Sequence, residues 1–227
     1  MNRERSQPEA PVKLHTVFIT YNRLELTKQA IASYLQTVSV PWTAWIVDNA
    51  SSDGTREWIL NGSGVHAWPL GSGASLLNEN RYPGFACNLG FAQAPADATL
   101  LHRADNDFIF LAGWCNEVER LFSKPELGQL GLRTNAEELH NMNNVGGNCV
   151  IRRELWDRGL RYDERPWPQI REEVGSGWSE DGLLSPQVKV MGYRWGRVRK
   201  RCIQATASGD PSDPYYVQSL ADRGVTV

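Results

Sequence analysis

HTVFIT (His15–Thr20), closed by Tyr21-Asn22-Arg23, and WTAWIV (Trp42–Val47), closed by the turn Asp48-Asn49-Ala50-Ser51-Ser52-Asp53-Gly54, decide how this chain folds. Both runs are short and mostly apolar, the pattern of strands covered on both faces. Between them Leu24, Thr27, Ile31, Tyr34 and Leu35 recur at helical spacing. Asn22 is expected to cap that helix, and Glu25, three residues on, completes a capping-box pair. Pro41 ends the connection, and a second short helix is expected over Thr55–Leu60. Strand, helix, strand, polar turn and helix, in that order, begin a parallel α/β sheet. Ligands of such sheets bind beyond the carboxyl ends of the strands, where both polar turns fall.

Further along, Asn61–Asn80 is rich in Gly and Ser, and Val65–Leu70 reads as a third strand. Neither Gly62-Ser63-Gly64 nor Gly71-Ser72-Gly73 forms a GxGxxG, so both read as loops and not as a phosphate cradle. Pro83-Gly84 opens a helix with Phe85, Leu89 and Ala92 on one side. The stretch LHRADNDFIFL (Leu101–Leu111) then interrupts an apolar strand with Asp105-Asn106-Asp107. Two carboxylates one residue apart beside a core need a partner or a cation. A hard ion such as Mg2+ or Mn2+ takes one or two carboxylates, with phosphate oxygens filling much of its remaining shell. A surface turn satisfying backbone groups is the alternative reading of the triplet. Trp114, Val118, Leu121 and Phe122 mark an amphipathic helix, and Leu127–Leu132 and Asn148–Ile151 read as strands.

The chain has 227 residues, with 24 Lys+Arg against 26 Asp+Glu and a net charge of -2. That length holds a real core, and the balanced charge gives no global attraction to nucleic acid or anionic membrane. There is no apolar run of about 18 residues, and the lead-in MNRERSQPEAPVK is charged. A soluble, cytoplasmic protein without a transmembrane segment is the expectation. Cys87, Cys115, Cys149 and Cys202 are far apart with no CxxC pair, so buried free thiols are expected. His15, His66, His102 and His140 share no ligand-like spacing.

ITYNR, WIVDNASSDGT, NENRYPGFACNLG, ADND, GGNCVIRREL, YDERPW and SED, in this order from about His15 to about Trp195, make the chain resemble a family-2 glycosyltransferase of the GT-A fold. The resemblance implies a single α/β domain with a Rossmann-like, mostly parallel central sheet flanked by helices. Within it, residues 1–13 would be a flexible lead-in and 14–107 the nucleotide-sugar-binding half. Residues 108–207 would be the acceptor-binding and catalytic half, and 208–227 a C-terminal tail.

It also implies roles. Thr20, Tyr21, Asn22 and Arg23 would border the nucleotide, Asp48 would read the base, and Asn49 and Ser51 of the same turn would also bind the nucleotide sugar. Asp53 would be a helix cap or a ligand contact. Arg81 and Asn88 would contact base or phosphate, Asp105 and its neighbour Asn106 would face the ribose or sugar, and Asp107 would ligate Mn2+ or Mg2+. Glu180-Asp181 matches the catalytic acid pair, with Asp181 the general base. Without the resemblance, that pair reads as acids favoured at a helix N-terminus. Gly147, Trp167 and Trp178 are placed near the acceptor.

The implied reaction is inverting transfer of a sugar from a UDP-, GDP- or dTDP-linked donor to a hydroxyl. The acceptor could be a glycan, a lipid-linked glycan or a hydroxylated base in nucleic acid. The alternatives are an inactive sugar-nucleotide-binding module and a nucleotidyltransferase, though TYNR is not the Gly-rich loop that the latter would carry. Two departures stand out. The stretch Arg197–Gln204, expected as one strand, lacks the metal-ligating His that many relatives carry, and Pro186 is expected to delay or bend the helix after Glu180-Asp181. The basic stretch Arg194, Arg197, Arg199, Lys200 and Arg201 reads as a solvated edge strand or as a grip for an anionic acceptor.

Overall fold

The computed structural model describes residues 11–132, 145–175 and 178–206. Its central strand is β1 (Leu14–Thr20), buried along its whole length. The faces of β1 separate by parity, as a strand's must. Leu14 and Phe18 enter one core layer with Tyr34, Ile46, Leu100 and Trp114. Val17 and Ile19 enter the other with Val47, Phe91, Leu101 and Ile151. The polar residues of β1 are satisfied internally: His15 bonds Thr43 Oγ1 (2.8 Å) and the Gly90 carbonyl (3.1 Å), and Thr16 Oγ1 meets the Tyr34 hydroxyl at 2.8 Å. Burial lowers the pKa of His15 to about 4 and of His102 to about 3, so both rings are neutral at pH 7.

From β1 the chain passes through α1 (Leu24–Thr37) to β2 (Trp42–Asp48), which pairs parallel with β1 and sets Thr20 beside Asp48. α2 (Thr55–Asn61) leads to β3 (Gly73–Leu76), parallel to β2. α3 (Tyr82–Phe91) then carries the chain back to β4 (Leu100–Asp105), parallel to β1 on its opposite flank, with Ile19 beside Asp105. The strand order therefore reverses between β1 and β4, the position where open α/β sheets bind ligands.

The remaining elements are β5 (Phe108–Phe110), α4 (Trp114–Phe122), β6 (Leu127–Gly131), β7 (Cys149–Arg152), α5 (Arg153–Asp157), α6 (Trp167–Val174), α7 (Glu180–Val190), β8 (Arg194–Arg197) and β9 (Ile203–Ala205). The main sheet runs β3-β2-β1-β4-β7-β6-β8, and β5 and β9 form a separate ribbon. β7 is antiparallel to β4 and β6. This reversal brings Gly147 and Asn148, just before β7, to the end of β4 where Asp105 lies.

Several expectations are corrected. Asn22 does not cap α1: Asn22 and Arg23 are both left-handed (φ 53° and 61°), and the cap position falls to Arg23 without a side-chain bond. Asp53 Oδ2 accepts the Leu24 N–H at 2.9 Å instead, because the turn after β2 folds against the start of α1. Val65–Leu70 is not a strand. A short 3-10 turn occupies Val65–Ala67, Pro69 can donate no ladder hydrogen bond, and Leu70 is 99% exposed. On α3 the buried residues include Ala86, Cys87, Gly90 and Phe91, whereas Ala92 is exposed. Small residues are needed there, since a Cβ on Gly90 would sit 2.4 Å from a Val17 methyl.

The expected strand Arg197–Gln204 divides into the end of β8 and β9, because Val198 N–H turns to the Gly131 carbonyl while Ile203 pairs with Phe110. β8 does lie at the edge of the sheet. α7 does not start late: it begins at Glu180 and includes Pro186 within its length. All four cysteines are buried and free. Among the described residues, no helix is long and apolar enough to cross a membrane. His140 and the expected tail at 208–227 lie outside the described residues, as do residues 1–10 of the expected lead-in.

Candidate active site

The ends of the parallel strands carry the strained backbone of this molecule. Among the described residues, the non-glycine ones with left-handed φ are Asn22 and Arg23 after β1, Ala50 after β2, and Tyr82 at the head of α3. Each costs about 1–2 kcal/mol, and such residues persist at binding sites where the surroundings fix them.

A polar network does that fixing. Asp48 is fully buried and both of its oxygens are engaged. Thr20 Oγ1 donates to Oδ1 at 3.0 Å, the Ser51 N–H donates to Oδ2 at 3.0 Å, the Ser51 hydroxyl also donates to Oδ1, and Arg56 Nη1 stands 3.5 Å from Oδ2. The Asn22 N–H donates to Ser51 Oγ at 2.7 Å, and Asn22 Oδ1 accepts the Ser52 N–H at 2.8 Å. Asn106 Nδ2 donates to the Asn22 carbonyl (3.1 Å) and to Thr27 Oγ1 (2.9 Å), while Asn49 Oδ1 accepts the Arg81 N–H at 2.7 Å. Asn22, Asn49, Ser51 and Asn106 thus tie together the ends of β1, β2 and β4. Tyr21 is left 43% exposed beside them. The Arg81 guanidinium lies over Phe85 at 4.2 Å. Asn88 faces inward, bonding both the N–H and the carbonyl of Tyr162 and reaching Glu164 Oε1 at 2.8 Å.

Beyond β4 the triplet splits its two carboxylates. Asp107 Oδ2 lies 3.2 Å from Arg23 Nη1, and its carbonyl accepts both the N–H and the hydroxyl of Thr206, which follows β9. Asp105 turns the other way. Its Oδ1 accepts Arg103 Nε at 3.0 Å, its Oδ2 accepts Asn148 Nδ2 at 3.2 Å, and its N–H donates to Asn148 Oδ1 at 3.0 Å. A Cβ on Gly147 would stand 2.5 Å from Asp105 Oδ2, so glycine is required where this loop crosses the carboxylate.

The other end of the Arg103 guanidinium donates from Nη1 to Glu180 Oε1 at 2.8 Å, and its carbon lies 5.3 Å from the centre of the Tyr162 ring. Glu180 Oε2 accepts Trp167 Nε1 at 2.5 Å, and Trp167 meets Tyr82 edge-on at 5.9 Å. Burial pushes the Glu180 carboxyl above its usual range, against the pull of Arg103. Burial works against the Arg103 charge too, but the Asp105 and Glu180 carboxylates outweigh it. Asp181, next in the first turn of α7, is half-buried. Its Oδ1 accepts the Gly182 N–H at 2.8 Å and the Ser179 hydroxyl, while Oδ2 has no hydrogen-bond partner among the described residues. Trp178 is half-buried just ahead of this turn, its N–H on the Gly175 carbonyl.

Asp105, Gly147, Glu180 and Trp167, dispersed over 76 residues of sequence, therefore gather around one guanidinium. Arg103 itself was not among the expected residues. Its signal is a charge inside an apolar strand two residues before Asp105, hence on the same face of the strand. As for a metal, no three His, Cys, Asp or Glu side chains among the described residues could hold an ion by themselves. Asp107 fits the other mode, in which one carboxylate anchors Mg2+ or Mn2+ and substrate phosphates supply further ligands. It already faces one cation, Arg23.

The family model for glycosyl transferase family 2 matches residues 16–141, more than half of the chain, including the ends of β1, β2, β3 and β4. The chain belongs to glycosyltransferase family 2. No curated protein matches it in sequence. The mannosyltransferase PcManGT of Pyrobaculum calidifontis, solved with GDP-Man and Mn2+, superposes with a TM-score of 0.71 at 18% identity, over 96% of this chain and 64% of that one. TarS 1-349 of S. aureus superposes at 0.66 with 15% identity, over 93% and 70%. The same TarS fragment in complex with UDP-GlcNAc superposes at 0.65 with 15% identity, over 92% and 64%. These similarities place this family-2 chain in the GT-A fold, and it spans about two thirds of the length of those neighbours.

Proposed function

We propose that this chain transfers a glycosyl group from a nucleoside diphosphate sugar to an acceptor hydroxyl by inverting displacement, with Asp181 as the general base. The observation that carries the reading is the Arg103 bridge: one guanidinium joins Asp105, at the donor end of the sheet, to Glu180, the residue before Asp181. The donor class follows from family membership and from neighbours solved with GDP-Man, UDP-GlcNAc and UDP.

The roles follow from what each side chain has left to offer. Glu180 is 2% exposed with both oxygens engaged, so it holds the site together and does not touch substrate. Asp181 keeps Oδ2 for the acceptor proton while Ser179 and Gly182 fix its orientation through Oδ1. A positioned base of this kind contributes about 10²–10⁴ in rate. Asp107 would hold Mn2+ or Mg2+ against the donor diphosphate, and Arg23 adds a second cation beside it. When bound there, the metal would neutralise the charge that builds on the departing diphosphate. The turns of Thr20–Arg23 and Asp48–Ser51 would frame the nucleotide. Asp48 would read the base only by releasing one of the groups that close on it here. Gly147, Trp167 and Trp178 lie on the acceptor side of this arrangement.

A melting-temperature panel of UDP, GDP and dTDP, each with and without Mn2+, names the base: a ligand at 100 times its Kd adds about 2.7 kcal/mol. Product analysis with the matching sugar donor then tests the chemistry. Nucleoside diphosphate release is the expected result; pyrophosphate release would indicate nucleotidyl transfer, and binding without turnover a module that only holds the donor.

A further inference from the structure

Resting on the glycosyl-transfer reading above, we propose that Arg103 is a positioning residue that sets the register between the donor-side carboxylate Asp105 and the acceptor-side base Asp181, acting through Glu180. Arg103 is 4% exposed, and its guanidinium fork engages two carboxylates from different elements, Nε on Asp105 and Nη1 on Glu180. Only a planar, multi-donor cation spans two acceptors in fixed directions; an ammonium keeps the charge without the fork. Each carboxylate is anchored on its far oxygen as well, Asp105 by Asn148 and Glu180 by Trp167. The line Asn148–Asp105–Arg103–Glu180–Trp167 therefore runs unbroken from the loop before β7 to the first turn of α6. Glu180 and Asp181 open the same helical turn, so a shift of the first carries the second with it. A misplacement of about 1 Å in such a site costs about 10²-fold in rate. Arg103 touches no reacting atom in this arrangement; its effect passes through its neighbours.

The test uses the full chain with the variants Arg103→Lys, Glu180→Gln and the double variant. Three quantities are read: transfer kinetics by nucleoside diphosphate release, nucleoside diphosphate affinity by calorimetry, and amide exchange of the first α7 turn. R103K should lower kcat by about tenfold or more, with KM for the donor and the diphosphate affinity within about threefold. E180Q should do the same, and the double variant should be no more than about threefold worse than the poorer single one, as expected of members of one unit. Multiplying losses in the double variant, equal losses in kcat and affinity, or an unchanged kcat would each overturn the assignment. If R103K does not fold, E180Q carries the same expectations. If the wild-type chain releases no nucleoside diphosphate from any donor, the glycosyl-transfer reading fails, and exchange alone decides the linkage. Amides of Leu183 and Leu184 exchanging about tenfold faster in R103K, with β1 unchanged, support it; unaltered α7 exchange overturns it.

Discussion

Replacing Arg103 by Met keeps an unbranched apolar stem and deletes the guanidinium, and with it the charge shared by Asp105 and Glu180. The two carboxylates do not suffer alike. The Asp105 side chain is 28% exposed and keeps Asn148, so water and that amide can take over. The Glu180 side chain is 3% exposed and, among the described residues, keeps only the Trp167 indole N–H, a setting in which an unpaired carboxylate is costly. It escapes by taking a proton. From an ordinary carboxyl value of 4.5, protonation at pH 7 costs about 3 kcal/mol at 1.36 kcal/mol per pH unit, which bounds the part of the loss that comes from the Glu180 charge.

Burial already raises the Glu180 pKa in the folded wild type, so part of that penalty is present before substitution. The further loss in R103M is expected to be about 2–3 kcal/mol at pH 7, a fall of roughly 5–10 °C in melting temperature for a chain of this size. Its pH dependence has a fixed sign. A carboxyl whose folded pKa is raised binds more protons folded than unfolded, so stability drops as pH climbs above 4.5. The R103M penalty should therefore shrink below about 1 kcal/mol at pH 5, and E180Q introduced into R103M should recover most of the loss at pH 7. Urea denaturation at both pH values, with a common m-value, reads all three. A loss that is the same at pH 5 and pH 7, or below about 0.5 kcal/mol at pH 7, would refute the buried-charge reasoning.

Asp181→Asn should lower kcat by about 10²–10⁴ while leaving the nucleotide-induced melting shift intact; loss of that shift would show that the side chain serves binding and not proton transfer. Asp53→Ala removes the acceptor for the Leu24 N–H and for the Thr55 N–H at once. It should cost about 1–2 kcal/mol in urea denaturation, and a change of only a few tenths would mean that neither cap matters. Gly147→Ala drives a methyl group into Asp105 Oδ2. It should destabilise by about 1–3 kcal/mol and reduce turnover, and wild-type activity in that variant would place the loop away from the reaction.

β1 and β2 were legible because a short, nearly continuous apolar run marks a strand covered on both faces, and the face of α1 and the amphipathic α4 because each follows the helical period. The two polar turns were legible as a candidate site because strand ends in a parallel sheet point to one edge. What the sequence hid depended on contacts between distant segments. Asn22 has the composition of a cap, yet Asp53, 29 residues beyond Leu24 along the chain, takes the Leu24 N–H that Asn22 would have satisfied. Asp48 looks like an open carboxylate in a polar turn, but Ser51, Thr20 and Arg56 close over it. Leu70 sits in an apolar run and ends in solvent, since Pro69 prevents the pairing that would have buried it. Arg103 became intelligible only once β4 and α7 were side by side. A buried arginine explains itself through its carboxylates, and one of them lies 77 residues further along the chain.

The most direct test of the account is a crystal structure of the chain with its nucleotide sugar and Mn2+. Asp107 is expected to hold the ion beside the diphosphate, with Asp181 Oδ2 facing the anomeric carbon from the side opposite the leaving group. A donor seated on the strand ends with Asp181 opening onto a different surface would contradict it.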